Sequence, residues 1–555
     1  MKKEELSAKM SAATEAEQRS LEERKPPRAL EKAKAKGNAP DAGKPAPTAA
    51  AVSVHDTTPR QTEQVFALLS ENPSPGLVLY GGKLHRIAHR EGQALLEAHT
   101  RESLLGHIGR AVVFVKRSRD DEWHECNPPA RLMDDILSLP DYPDGIPCVR
   151  WIKSTPILTA DGRLVSASGL YPEHQTYLAL DPALEGIALP EKITEADLAH
   201  AAELLLDPFQ DLPVEEESVA NLVALLFTMV FREWIEGVTP LFIIDANVAG
   251  TGKGLLASAL SMIAFGREMD FSPANVSSDE LRKRLFAVAA QGAPLHILDN
   301  IEQTVWSPEL AAWLTAPKYS DRKLGESAVF TYPNTLIILG TGNNVALGGD
   351  IRRRVVLIRM VSAHARPEER SDFRYPNLVG HVQKKRRSLL QALYTVAAAW
   401  LRAGRAVPQS APQMGSFQPW ADFSAGILDT LGAIGLLDNR HLLKVRDQDA
   451  EEYETMLSRT RRIFGTGEFT AKELAQQLDG EDFPSCIGAR RHGSITKSLG
   501  RMLTRIEGRA FGDEEFAVRH HRTVDKTKHY RIESREDRAA APRVIANTNN
   551  ETMED

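Results

Sequence analysis

Residues 247–256 read NVAGTGKGLL and lie between the apolar run PLFIID and the helix-like LLASALSMIAF. Glycines at 250 and 252 free consecutive backbone N–H groups to turn inward on an anion at a helix start, and Lys253 adds a reaching ammonium. That is the chemistry of phosphate binding, assigned here to Asn247, Gly250, Thr251, Gly252, Lys253 and Gly254. Two letters depart from the phosphate-loop formula GxxxxGK(S/T). Asn247 replaces the first glycine, a change that the tolerance of Asn for positive φ accommodates. Gly254 replaces Ser or Thr and removes the hydroxyl that ordinarily binds Mg²⁺. A glycine-rich structural turn is the alternative reading of the stretch.

Partners stand downstream in a consistent order. PLHILDN puts Asp299 at the end of an apolar run, where a carboxylate can hold Mg²⁺ through water. NTLIILGTGNN puts Thr341, Asn343 and Asn344 at the end of another, where an amide can orient an attacking water. GDIRRRVVLI then presents Arg352, Arg353 and Arg354 after a short loop, in reach of a neighbouring subunit's phosphate. A lone Asp at a strand end or a bare arginine run is ordinarily solvated surface. The fixed sequence of loop, Asp strand, Asn strand and arginine cluster points to nucleotide chemistry instead.

The elements that must hold these residues follow from patterning. Apolar runs of about five residues alternate with helical segments from LFIID to RRVVLIRM, the signature of a parallel sheet buried on both faces. The fold class expected is multidomain α/β, with a β-rich N-terminal module, a P-loop α/β core and a C-terminal winged helix. Residues 1–55 are rich in Ala, Lys, Glu and Pro and are expected to stay a disordered tail. Residues 56–195 read as short strands with a hairpin across Gly81-Gly82, and no DxD-type pair there supports a primase site. Residues 196–440 hold the core with a helical segment on either side. From 455 to 533, FTAKELAQQL opened by Thr470, SITKSLGRMLTRIEGR opened by Ser494, and FAVRHHRTVDKTKHYRIE give helix, helix and β-hairpin, the order of a winged helix-turn-helix. Residues 534–555 are expected to be a second tail.

Composition excludes several classes. A chain of 555 residues exceeds one core, and a net charge of −7 confines any nucleic-acid contact to local patches. Cys126, Cys148 and Cys486 are far apart without a CxxC pair, which argues against a disulfide framework or zinc site and fits a reducing compartment. No apolar run reaches the roughly 18 residues of a membrane span and MKKEELSAKM has no hydrophobic signal core, so a cytoplasmic protein is expected. The local basic patches are Lys497, Arg501 and Arg505 on the second C-terminal helix, and Arg519, His520, His521, Arg522, Lys526 and Lys528 on the hairpin. They suit a DNA groove and its backbone, or alternatively a protein partner. The histidine pair lacks a third metal ligand in view, and Cys486 reads as a small buried hydrophobe.

Together AGTGKGLLASAL, LDNI, LTAPKYSDRKLG, GTGNNVALGGDIRRRVVLI and PNLVGHVQKKRRSLLQALYTV resemble AAA+ ATPases. The likeness is to the superfamily 3-like helicases of phage, plasmid and integrative-element replication, without a recognisable primase domain. The resemblance runs from about 140 to 440. It implies ATP and Mg²⁺ as cofactors, Lys253 as the Walker A lysine and Asp299 as the Walker B acid. Asn343 or Asn344 would be the sensor and Arg353 or Arg354 the trans finger. It also implies a hairpin between the Asp299 and sensor strands that grips DNA, with Lys318, Arg322 and Lys323 as its cations; Arg322 as a second trans finger is the competing role. Asn300 stands where such enzymes carry a water-polarising Glu, and Glu302 is the nearest carboxylate. The implied function is a ring-forming, ATP-dependent DNA helicase or translocase of a mobile-element replication system, acting as a hexamer on single-stranded or forked DNA with a separate primase or initiation partner. A slow ATP switch that binds an origin or loads a helicase, and a non-catalytic scaffold, are the alternatives.

Overall fold

The computed structural model describes residues 51–540 apart from 73, 75, 91, 302–307, 323–328, 346, 348, 365, 445–447, 479–481, 485–486, 488–494, 513 and 526. The tail expected at 1–55 therefore lies largely outside the described residues, as does most of 534–555. Where the two overlap the structure differs. Ala51–Ser53 pairs in parallel with Val113–Arg117, because Val52 is wholly buried there. Arg535–Ala540 is helical, with Asp537 receiving hydrogen bonds from Ser534 and Arg461.

The core is one five-stranded sheet in which every pairing is parallel. Its strands are β1 (Leu241–Ala246), β2 (Phe271–Pro273), β3 (Leu295–Ile301), β4 (Ile337–Asn343) and β5 (Val355–Met360), in the spatial order 2-3-4-1-5. β1 and β5 are buried at every position, and β4 at all but its last, which is why their sequences read as mostly apolar rather than as alternation. Helices α1 (Lys253–Phe265), α2 (Ser278–Ala290) and α3 (Pro308–Thr315) connect them. β1 lies between β4 and β5, two strands that enter the chain later, so the crevice beyond its C-terminal end sits where strand order reverses. Open α/β sheets bind ligands at such a point.

The N-terminal residues form three-stranded and smaller sheets with a hairpin of Leu77–Tyr80 and Lys83–Arg90 turning at Gly81-Gly82. This turn is packed against the core. Tyr80 is fully buried, stacks on Tyr332 with ring centroids 5.2 Å apart, and donates to the Ala289 carbonyl at 2.7 Å. A Cβ at Gly81 would run into the Thr331 carbonyl oxygen. Tyr332 belongs to the antiparallel pair Lys318–Arg322 and Val329–Pro333, inserted between β3 and β4 where the family resemblance implies a DNA-gripping hairpin.

The C-terminal unit has its own apolar core and a four-stranded sheet that includes Phe516–Val524 and Thr527–Glu533. Helices Ala471–Gln477 and Ile495–Ile506 pack beside it, and Thr470 caps the first in a capping box with Glu473. Tyr453, Met456 and Leu457 from helix Gln448–Phe464 also enter this core, so the unit starts before the predicted 455. Among the described residues no helix is long and apolar enough to cross a membrane.

Candidate nucleotide site

The loop that follows β1 turns on two glycines with left-handed backbone, Gly250 at φ +73° and Gly252 at φ +96°. Gly252 is the N-cap of α1, whose first turn carries no acidic side chain, so its exposed N–H groups and partial positive charge face the crevice uncompensated. Thr251 is buried and its hydroxyl donates to the Val248 carbonyl at 2.6 Å, which stiffens the loop from within. Lys253 reaches across to donate to Asn343 Oδ1 at 2.7 Å. Partial burial pulls the Lys253 ammonium below its ordinary range, while Asp245 and Asp299 push it back.

Asp299 lies near the end of β3, at a register shift between Leu298 and Ile301, with Asn300 left-handed at φ +55°. Thr341 on β4 donates to Asp299 Oδ1 at 2.7 Å and accepts from the Asn300 N–H at 3.2 Å. Thr341 and Asn343 are two apart on one strand and share a face. That face brings them to Asp299 and Lys253 together. The structure thus favours Asn343 over Asn344 as the amide beside the lysine. Glu302 lies outside the described residues.

Asn344 and Asn247 do different work from that expected. Asn247 does not take positive φ. Its amide instead clamps the backbone of Ser362, donating to the carbonyl at 2.9 Å and accepting from the N–H at 3.0 Å. Asn344, at φ +49°, donates to the Asn247 carbonyl at 3.0 Å and accepts from Arg359 at 3.0 Å. Arg359 in turn pairs with Asp245, its direct cross-strand partner on β1; Asp245 is wholly buried and Arg359 nearly so. The second Asp245 oxygen accepts from the Val345 N–H at 2.9 Å. Sequence reasoning missed this pair. The signal was there, since Asp245 and Arg359 are the charges inside two otherwise apolar strands.

Gly254 has nothing within 4 Å of the position a Cβ would take. Its lack of a side chain is therefore not a packing requirement. The glycine shape of the loop, the lysine and a carboxylate held by a single threonine bond fit a Mg²⁺–nucleotide. On the solvent side Glu368 lies against Gly250, so the segment after β5 covers part of the loop.

Arg352, Arg353 and Arg354 precede β5, and Val355 is level with Leu241 at the start of β1. They sit at the opposite edge of the sheet from the phosphate loop, about 17 Å away at strand spacing. They cannot reach their own chain's site. With Arg440 they line a cavity of about 460 Å³, and Arg354 donates to the Ala311 carbonyl at 2.9 Å. Burial lowers the Arg440 guanidinium.

Of the predicted DNA-contacting cations, Lys318 is exposed at the base of its hairpin, paired in register with Pro333. Lys323 and Lys526 lie outside the described residues, as do the side chains of Arg322 and Arg505, and Cys486 and Ser494. Lys497 and Arg501 are exposed on helix Ile495–Ile506. Arg522 differs from expectation. Its Nε donates to Glu468 at 2.8 Å, and Arg531 and His521 reach the same carboxylate at 3.0 Å. Desolvation alone would raise the Glu468 carboxyl, but Arg522, Arg531 and His521 together hold it below its ordinary value.

No protein-family model matches this sequence, and no curated protein does. Among solved structures, the apo C-terminal region of NrS-1 aligns with 84% of this chain and 98% of its own, at 11% identity and a TM-score of 0.39. The SCCmec type IV Cch helicase aligns over the same shares at 13% identity and 0.33. The JCV helicase aligns with 48% of this chain and 72% of its own, at 13% identity and 0.20. At these values the matches are likenesses in outline and assign no activity to this chain.

Two substitutions probe the site. Arg359→Met leaves Asp245 buried without its partner and should cost about 3–5 kcal/mol, whereas the double change Asp245→Leu with Arg359→Met should recover much of that loss. Thermal denaturation checks this, and equal midpoints for the single variant and the parent would contradict it. Gly254→Ser enters open space in the first turn of α1, where serine is tolerated, so it should fold as stably and, with the hydroxyl restored, bind Mg²⁺–ATP more tightly. Titration of Mg²⁺ at fixed ATP measures it; a clash-like loss of stability would refute the open-space reading.

Proposed function

We propose that the chain is an ATP-dependent DNA helicase or translocase whose nucleotide site is completed by a neighbouring copy. The observation that carries this reading is the meeting of Lys253, Asn343, Thr341 and Asp299 at the C-terminal edge of one parallel sheet. In this reading the N–H groups of 250–254 and Lys253 bind the phosphates, and Asp299 holds Mg²⁺ through water. Bound Mg²⁺ would neutralise charge that develops on the transferred phosphoryl group. Asn343, hydrogen-bonded to Lys253 before nucleotide arrives, exchanges that bond for water or phosphate when it does.

Arg353 and Arg354, at the far edge of the sheet, serve a neighbour's nucleotide, which requires an adjacent copy; a ring-forming hexamer is the form the family resemblance implies. The hairpin of Lys318–Arg322 and Val329–Pro333 faces DNA, and Arg282 on α2 braces it through an ion pair to Asp321. The C-terminal unit contributes Lys497 and Arg501 to DNA binding as a winged helix. A mobile-element replication system with a separate primase is the setting proposed.

A slower ATP switch that binds an origin or loads another helicase is the second reading. The left-handed Asn300 favours it, since it stands in the place of a water-polarising carboxylate.

ATP hydrolysis measured with and without single-stranded and forked DNA, alongside mass in the presence and absence of ATP, decides between them. The motor predicts ATP-dependent assembly and DNA-stimulated turnover that Lys253→Ala abolishes together with nucleotide binding. Turnover indifferent to DNA in an ATP-independent monomer would rule the motor out, and unchanged ATP binding by Lys253→Ala would refute the site itself.

A further inference from the structure

The arginine cavity at the far edge of the sheet holds a fourth cation that sequence spacing does not group with the others. Arg440 opens the short helix Arg440–Lys444 and is placed by the residue before it. Asn439 is 1% exposed; its amide donates to the Ser218 hydroxyl at 2.8 Å and the Leu357 carbonyl at 2.9 Å, and accepts from Asn221 at 3.0 Å. Leu357 lies on β5, the strand that Arg352, Arg353 and Arg354 precede. One buried amide therefore sets Arg440 beside the cluster.

The cavity of about 460 Å³ is lined by these four arginines, with Thr315 and Ser416 adding hydroxyls. No carboxylate stands among the described residues of its wall. The turn Gly415–Phe417 forms part of that wall and leads into helix Gln418–Thr430. The first turn of that helix carries no acidic side chain, so its positive end adds to the field of the arginines.

Arg440 donates to the Gln413 carbonyl at 3.3 Å, and among the described residues no carboxylate pairs with it. Burial lowers the guanidinium groups of Arg232, Arg267, Arg386 and Arg440. A carboxylate offsets the first three, namely Glu233, Asp270 and Asp181 in turn. Arg440 has no such offset. A half-buried cation without a counter-charge, in one cavity with three more, is a costly arrangement that an anion relieves. Guanidinium donors suit phosphate oxygens, and Arg440 is accessible from the cavity that it lines.

We propose that Arg440 is a third arginine of the shared nucleotide site, meeting the terminal phosphates of the neighbouring copy's nucleotide together with Arg353 and Arg354. This role rests on the reading of the site as shared between copies. Arg440 lines the same cavity as the cluster, so it too lies out of reach of its own chain's phosphate loop. Its charge opposes the one that develops on the transferred phosphoryl group, and Asn439 holds it ready without a competing carboxylate.

Steady-state ATP hydrolysis by the full chain tests this, comparing the parent, Arg440→Met, Arg440→Lys and the double variant Arg353→Ala, Arg354→Ala. ATP binding by dilute protein and the thermal midpoint are measured beside it. Arg440→Met is expected to lower kcat about tenfold or more, with ATP binding and midpoint close to parental. Arg440→Lys, which keeps the charge, should recover part of the loss. Parental kcat in Arg440→Met beside an inactive double variant overturns the role of Arg440 and leaves the shared site standing. Parental kcat in both, or no turnover in the parent, removes the shared site and this role with it. A fall in kcat matched by lost ATP binding in the Met and Lys variants alike marks a structural role and overturns the assignment.

Discussion

The buried pair of Asp245 and Arg359 is the constraint on which the site's geometry depends. Two charges taken out of water are expensive, and their attraction compensates only when the remaining donors and acceptors are also satisfied. Here they are used. The second carboxylate oxygen takes the Val345 N–H, and the second guanidinium nitrogen takes Asn344. One ion pair therefore ties the phosphate-loop strand to β5 and fixes the turn that follows β4. Asn344 extends the tie to Asn247, and Asn247 clamps Ser362. With these loops held, Asn343 meets Lys253, and Thr341 meets Asp299. A switch that moves β4 against β1 must work through this pair.

Much of this arrangement was legible in the sequence. The apolar runs pointed to the parallel sheet, and the glycine loop, Asp299, Thr341 and Asn343 named in the sequence are residues that the sheet brings together. Strand alternation could also have separated Asn343 from Asn344, because Thr341 and Asn343 share a face and Asn344 does not. What the sequence concealed was long-range pairing. Asp245 and Arg359 are 114 residues apart and meet through register alone. Tyr80 stacks on Tyr332 across two units, a contact no local pattern encodes. A charge count does not reveal which cations have a carboxylate beside them, as Arg522 has Glu468. Residues 51–53 read as tail because three residues are too few to show alternation, yet they complete a sheet.

The sheet separates its chemistry by edge. The groups proposed to bind phosphate gather at the C-terminal ends of the strands, beside the N-terminus of α1. Arginines gather at the N-terminal end of β5, as the cluster at 352–354. The hairpin beside β4 is braced by both Tyr80 and Arg282, so the N-terminal unit bears on the element proposed to touch DNA.

The most direct test of a site shared between copies is a mixing experiment. Lys253→Ala and the double variant Arg353→Ala, Arg354→Ala are each prepared as inactive protein, and ATP hydrolysis is measured alone and after mixing in equal amounts. A shared site predicts that activity returns on mixing, since an intact loop from one variant can meet intact arginines from the other. Full activity in the arginine variant alone, or silence in every mixture that assembles, would contradict it.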